Sequence, residues 1–153
     1  MNDPNEKNDP NGPNVPNDPN DLHARCDAIE ESYEFMLAYA AQGLAGEGAS
    51  QSGGQLREYL TRASAALSGL GDFLLQVVER DGLEPADRYR TFAAVLDRDA
   101  RDARAAVELV LAQPSISSQL VDNLNASIHV RALLTDLFLI DEILKPQVAT
   151  PQA

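Results

Sequence analysis

The sequence predicts an all-α protein, an antiparallel up-down-up-down four-helix bundle with a disordered N-terminal tail. Three observations lead there. Apolar residues recur at alternating intervals of three and four through four successive segments, the spacing that gathers side chains on one face of a helix. No stretch between those segments alternates apolar and polar residues as a half-buried strand would. Asparagine falls at 2, 5, 8, 11, 14, 17 and 20, in a stretch almost without apolar side chains. The expected division is a tail over 1–20, a bundle over 21–145 and a disordered end over 146–153.

The tail comes first. Asparagine and proline are poor at helix and strand, and so few apolar residues cannot offset the entropy of ordering. A period of three matches polyproline II, which would align Pro4, Pro10, Pro13, Pro16 and Pro19. The segment reads as a flexible tether in preference to a recognition peptide.

Helix one is expected from about Leu22 to Gly43, with Asn20 or Asp21 as N-cap and a stripe of Leu22, Cys26, Ile29, Tyr33, Met36 and Ala40. The glycine-rich stretch "GLAGEGASQSGG" follows as a mobile connection. It is not a phosphate loop, because no strand precedes it and no Gly-Lys-Ser/Thr leads into the next helix.

Helix two is expected from about Gln55 to Arg80 on Leu56, Leu60, Ala63, Leu67, Leu70, Leu74 and Val77, with Gly82 as its left-handed stop. Gly69 and Gly71 inside it mark a kink or a close helix approach. Helix three runs from near Pro85 to about Gln113, with Glu84/Arg88, Asp97/Arg101 and Arg98/Asp102 one turn apart on its solvated side. Helix four starts at Ser115 or Ile116 and ends near Leu144, before Pro146.

Two positions break the pattern. Asp99 falls at the centre of helix three's apolar arc of Phe92, Leu96, Ala103, Ala106 and Val110. Arg131 falls inside the arc of Leu120, Leu124, Leu134 and Phe138 on helix four, at a similar distance from the turn near Pro114. A buried Asp99–Arg131 pair is therefore expected, joined by Tyr33 or Ser68, and acting in register control more than in ligand binding. Helix four also carries a second seam, Val130, Leu133, Leu137, Ile140 and Leu144. A bundle helix usually has one apolar stripe, so this seam is expected to meet a neighbouring subunit or another protein, unless it sits deep among its own helices. A kink near "NASIH" would exchange the two stripes halfway along. The acidic stripe Asp27, Glu31 and Glu34, with Glu30 at its edge, reads as a solvated face or a landing surface for a basic partner.

Composition narrows the function. The charge of −12, from 24 acidic and 12 basic residues, opposes binding to nucleic acid or to anionic membranes. The longest apolar stretch is too short and too often charged to span a bilayer, and no signal segment opens the chain, so a cytoplasmic location is expected. The Glu-x-x-His pair of di-iron bundles is missing: Asn20 and Ala126 stand three before His23 and His129. His23 and Cys26 stand alone, without the ligand count of a metal site. Cys26 lies on a core seam and His23 at a helix start, a poor nucleophile and base. No catalytic residue, metal or cofactor is expected.

At helix one and the turn after it, "ESYEFMLAYAAQGLAGEGASQSGGQLREYL" resembles the opening of small helical proteins encoded with α-carboxysomes, sometimes labelled bacterioferritin-like. The resemblance covers about 30 residues and no catalytic motif. It implies an accessory role around the shell or the enclosed Rubisco in a bacterial cytosol, while the ferritin ligand pattern is absent. The leading expectation is a non-catalytic bundle that binds a protein partner or itself through the Val130–Leu144 seam. The alternative is a ferritin-like bundle holding a small ligand or metal around Asp99, Arg131 and Tyr33.

Overall fold

The computed structural model describes residues 19–49 and 52–145, so the end of 146–153 and the tail expected over 1–20 lie outside the described residues, except for Pro19 and Asn20, which are helical. Within them run six α-helices and no strand: α1 (Pro19–Ala41), α2 (Gly53–Leu67), α3 (Leu70–Asp81), α4 (Ala86–Leu111), α5 (Ser118–Ala126) and α6 (Ile128–Leu144). A 3-10 turn at Glu47–Ala49 joins α1 to α2. The all-helical expectation holds, but the four-helix count does not. The segments expected as helices two and four are each divided in two. No described helix is long and apolar enough to cross a membrane.

The first division lies at Ser68–Gly69. Ser68 is extended and Gly69 takes a left-handed φ of 76°, a conformation that costs a residue with a Cβ roughly 1–2 kcal/mol. Arg25 of α1 braces the break. Its Nη1 donates to the carbonyls of Ala65, Ala66 and Ser68 at 3.1, 3.4 and 3.1 Å, and its guanidinium lies 4.1 Å above the Phe73 ring. One cation thus closes the carbonyl end of α2 and holds the first turn of α3. Gly71 serves differently: a Cβ there would stand 2.7 Å from Asp97 Cβ and 2.9 Å from the Ala93 carbonyl, so α3 and α4 meet at glycine distance.

The second division is Ser127. Its backbone is extended, its N–H closes α5 on the Leu124 carbonyl at 3.1 Å, and its hydroxyl accepts from the Val130 N–H at 3.3 Å to cap α6. One residue ends one helix and starts the next. Gly82 ends α3 with φ 63°, as expected. At the other end of the chain, α1 already includes Asn20 and Asp21, which therefore lie within its first turn and are not its cap.

α1 packs on α2 and α5, and α4 packs on α2, α3 and α6. The expected seam of Leu56 through Val77 is buried in full across both α2 and α3. On α1, Leu22, Cys26, Ile29 and Met36 are buried, whereas Tyr33 and Ala40 are only partly so, and Ser32 and Tyr39 take the fully enclosed places. Both polar groups are satisfied there. The Ser32 hydroxyl donates to Ala28 O at 2.8 Å with Tyr59 O at 3.2 Å, and the Tyr39 hydroxyl donates to Ile116 O at 2.8 Å.

The described part of the glycine-rich connection is tied down, contrary to the expectation of a mobile link. Arg57 pairs with Glu47 through two nitrogens and also donates to the carbonyls of Leu111 and Gln113 at 2.8 and 2.6 Å. Glu47 Oε1 accepts from the Ile116 N–H at 2.7 Å. Ser118 adds a second clamp, its hydroxyl donating to Tyr39 O and accepting from Leu44 N–H at 2.6 and 2.8 Å.

Candidate functional site

The Ser127 break decides which side of α6 faces in. Val130, Leu133, Leu137 and Ile140 are buried and Leu144 is partly buried. The seam expected as an interaction surface is therefore core, and that expectation is corrected. At 100° per residue, an unbroken helix continuing the buried side of α5 (Val121, Leu124, Asn125) would turn this seam outward. The break rotates α6 by about half a turn, and the exchange of stripes at "NASIH" is what the structure contains.

What then faces out is also apolar. Ile128, Phe138, Leu139 and Ile143 are 73, 55, 49 and 37% exposed. Arg131, Thr135 and Glu142 are exposed on the same side, and His129 is exposed too. The amino-terminal half of this face is concave, a hollow of about 550 Å³ lined by Ile128, Arg131, Ala132 and Thr135, with Asp136 at its floor. The carboxy-terminal half is a ridge led by Phe138 and Leu139. These outer residues escaped the sequence reading because a continuous helix four places Arg131 and Phe138 inside.

The Asp99–Arg131 pair does not form, because Arg131 is exposed. Asp99 instead meets Asp136, which is 8% exposed and comes from α6. The buried Asp136 Oδ2 has no hydrogen-bond partner, and the titratable group that acts on it is the Asp99 carboxyl of α4. Two neighbouring carboxyls can bond to each other only while one carries a proton. Burial first, then the Asp99 hydrogen bond and charge, push the Asp136 carboxyl up to about 7. Asp136 had a signal in the sequence, three residues after Leu133 and beside the inner seam. The interior beside Tyr33 offers only about 30 Å³, room for a single water, and neither Asp99 nor Arg131 lines it.

Asp27, Glu31 and Glu34 lie at the surface and Glu30 is half-buried. Asp27 stands 3.5 Å from His23, and Glu31 4.0 Å from Arg62. Burial raises the Glu30 carboxyl, and Asp141, Asp27 and Glu34 add to the rise against an opposing His23. The thiol of Cys26, one turn earlier, is pushed up to about 12 by burial, then by Glu30, Asp141 and Asp27. It is a neutral thiol rather than a nucleophile. Among the described residues, no group of three histidine, cysteine or carboxylate side chains is placed to hold a metal ion.

The sequence reading passed over Arg25, Glu47 and Arg57, since single charges in loops and helix starts carry no periodic signal. Glu47 is held below the usual carboxylate range by its hydrogen bond from Arg57 and by the Ile116 N–H, against the effect of burial. No protein-family model matches the chain, and no curated protein or solved structure matches it.

Proposed function

We propose that the protein works as a non-catalytic interaction module, that its contact surface is the outer face of α6, and that a second copy of the chain occupies that face. The observation that carries this reading is the double apolar character of α6, with one leucine-rich side in the core and Ile128, Phe138, Leu139 and Ile143 in solvent. Taking about 200 Å² for each large side chain, the four expose roughly 400 Å² of apolar surface, in the range of a functional patch.

Shape and charge favour self-pairing. In an antiparallel two-fold arrangement, the Phe138/Leu139 ridge of each copy meets the Ile128–Thr135 hollow of the other. The same operation keeps each lateral edge on its own side, so Arg131 of one copy comes level, within a turn, with Glu142 of its partner. Two patches bury roughly 800 Å² of apolar area, and the polar rim must supply the rest of a standard interface. The bacterial cytosol belongs to the same proposal. Through the resemblance of residues 31–60, Rubisco and α-carboxysome shell proteins are the first different proteins to test beside the second copy.

Sedimentation equilibrium tests it. The wild type is expected to dimerise and Phe138→Asp to be a folded monomer. Arg131→Glu and Glu142→Arg are each expected to weaken the dimer about tenfold, and together to restore it. A wild type that stays monomeric, or a dimer untouched by Phe138→Asp, overturns self-pairing on this face.

A further inference from the structure

A second feature lies at the other side of α6, where the ends of α1, α3 and α6 diverge around the turn after Gly82. They leave a cavity of about 800 Å³, the size that holds a drug-like molecule. Leu22 and Cys26 from α1, Val77 from α3, and Ile140 and Leu144 from α6 form an apolar wall, and Tyr89 of α4 faces it. The chain has no tryptophan and only four phenylalanines with which to fill such a space.

The mouth is acidic. Asp81, Glu84 and Asp141 line it, and the cations beside it are already engaged. Lys145 lies 3.3 Å from Glu142, Arg80 3.1 Å from Asp81, and His23 3.5 Å from Asp27. Glu84 and Asp141 make no ion pair among the described residues. The nearby carboxylates also act on the cavity wall: the Cys26 thiol there is pushed up by burial and, after it, by Glu30, Asp141 and Asp27. An anion such as a nucleotide meets repulsion there, and a metal ion lacks ligands. An apolar wall under a negative rim selects a cation with a greasy body.

We infer that this cavity is a binding site for a small amphipathic cation, an amine on an aromatic or aliphatic body, with Glu84 and Asp141 taking the ammonium and the Leu22–Val77–Ile140 wall taking the body. The site is independent of the α6 outer face. The described chain ends at Lys145, which lines this cavity, and begins at Pro19, one turn before the lining residues Leu22 and His23, so the test must also separate a ligand from the chain's own termini.

Fluorescence titration of the full chain with dansylcadaverine, a cation, and with anilinonaphthalene sulfonate, an anion of similar bulk, reads the selectivity. Dansylcadaverine is expected to bind at least tenfold tighter than the anion. The Glu84→Gln/Asp141→Asn double variant is expected to lose at least fivefold for the cation without unfolding, while Phe138→Asp binds as the wild type does. Equal affinity for the anion, an unaffected double variant, or no binding overturns the inference. So does binding that appears only after residues 1–18 or 146–153 are removed, which would assign the cavity to one of the chain's own ends.

Discussion

Asp136→Asn is the most informative single change, because it alters one proton and little else. The ordinary carboxyl value is 3.8 and the folded Asp136 stands at about 7, a gap that corresponds to on the order of 4 kcal/mol. Part of that rise is set by the neighbouring Asp99 charge, so we take about half, ~2 kcal/mol, as the recoverable part. The sign follows from proton counts. Between pH 4 and 7 the folded state holds a proton that the unfolded chain has released, so stability is greatest below pH 4 and falls as pH climbs through 7. An asparagine amide donates to the Asp99 carboxylate at every pH and abolishes this slope. Urea denaturation from pH 4 to 8 should show the two proteins nearly equal at pH 4. At pH 8 the variant should be the more stable by ~2 kcal/mol, or roughly 5–10 °C in Tm. Parallel profiles, or a variant weaker than wild type at pH 8, would refute the shared-proton reading of the Asp99–Asp136 contact.

Other expectations follow from the same geometry. Arg57→Ala removes hydrogen bonds to Glu47, Leu111 and Gln113 and should cost about 2–3 kcal/mol near pH 7 by denaturant titration. Glu47 is the depressed carboxylate, so its share of that cost is present above the unfolded value of 4.5 and lost as pH falls through the lower folded value. Gly71→Ala forces a methyl against Asp97 and the Ala93 carbonyl and should lower stability by about 1–3 kcal/mol, whereas Gly71→Ser should be worse still. Leu137→Asp puts a carboxylate at a position 1% exposed and should unfold the chain, seen as loss of the circular dichroism signal, while Phe138→Asp next to it, at a dilution where the wild type is also monomeric, leaves the melting curve close to wild type.

Much of the helical content was legible because apolar spacing is a local property. The α2–α3 seam can be read from Leu56 to Val77 without knowing that Gly69 bends it, since the break preserves the inward side. The same kind of break at Ser127 reverses the inward side, and there periodicity misleads: Arg131 and Phe138 look interior, Val130 and Leu137 look like a surface. Asp99 stands out in the sequence as a carboxylate on an apolar arc, and charge pairing directs the search for its partner to opposite charges. Its neighbour is a second carboxyl, Asp136, which charge pairing does not suggest. Arg25 and Arg57 were missed for a different reason. Their partners are backbone carbonyls some 40 to 56 residues away, and a carbonyl has no side-chain identity for sequence to display.

The Ser127 cap has a wider meaning for how α6 comes to lie as it does. Most helices are oriented by solvent: water takes the polar side and the interior takes the other. α6 offers two sides that both carry large apolar residues, so partition between oil and water distinguishes them less sharply than usual. What distinguishes them is one extended residue and one hydroxyl, a device worth on the order of 1 kcal/mol. The orientation of the last helix is thus inherited from the chain immediately before it, and the apolar side chains it leaves in water are the price of letting backbone geometry, not polarity, make the choice.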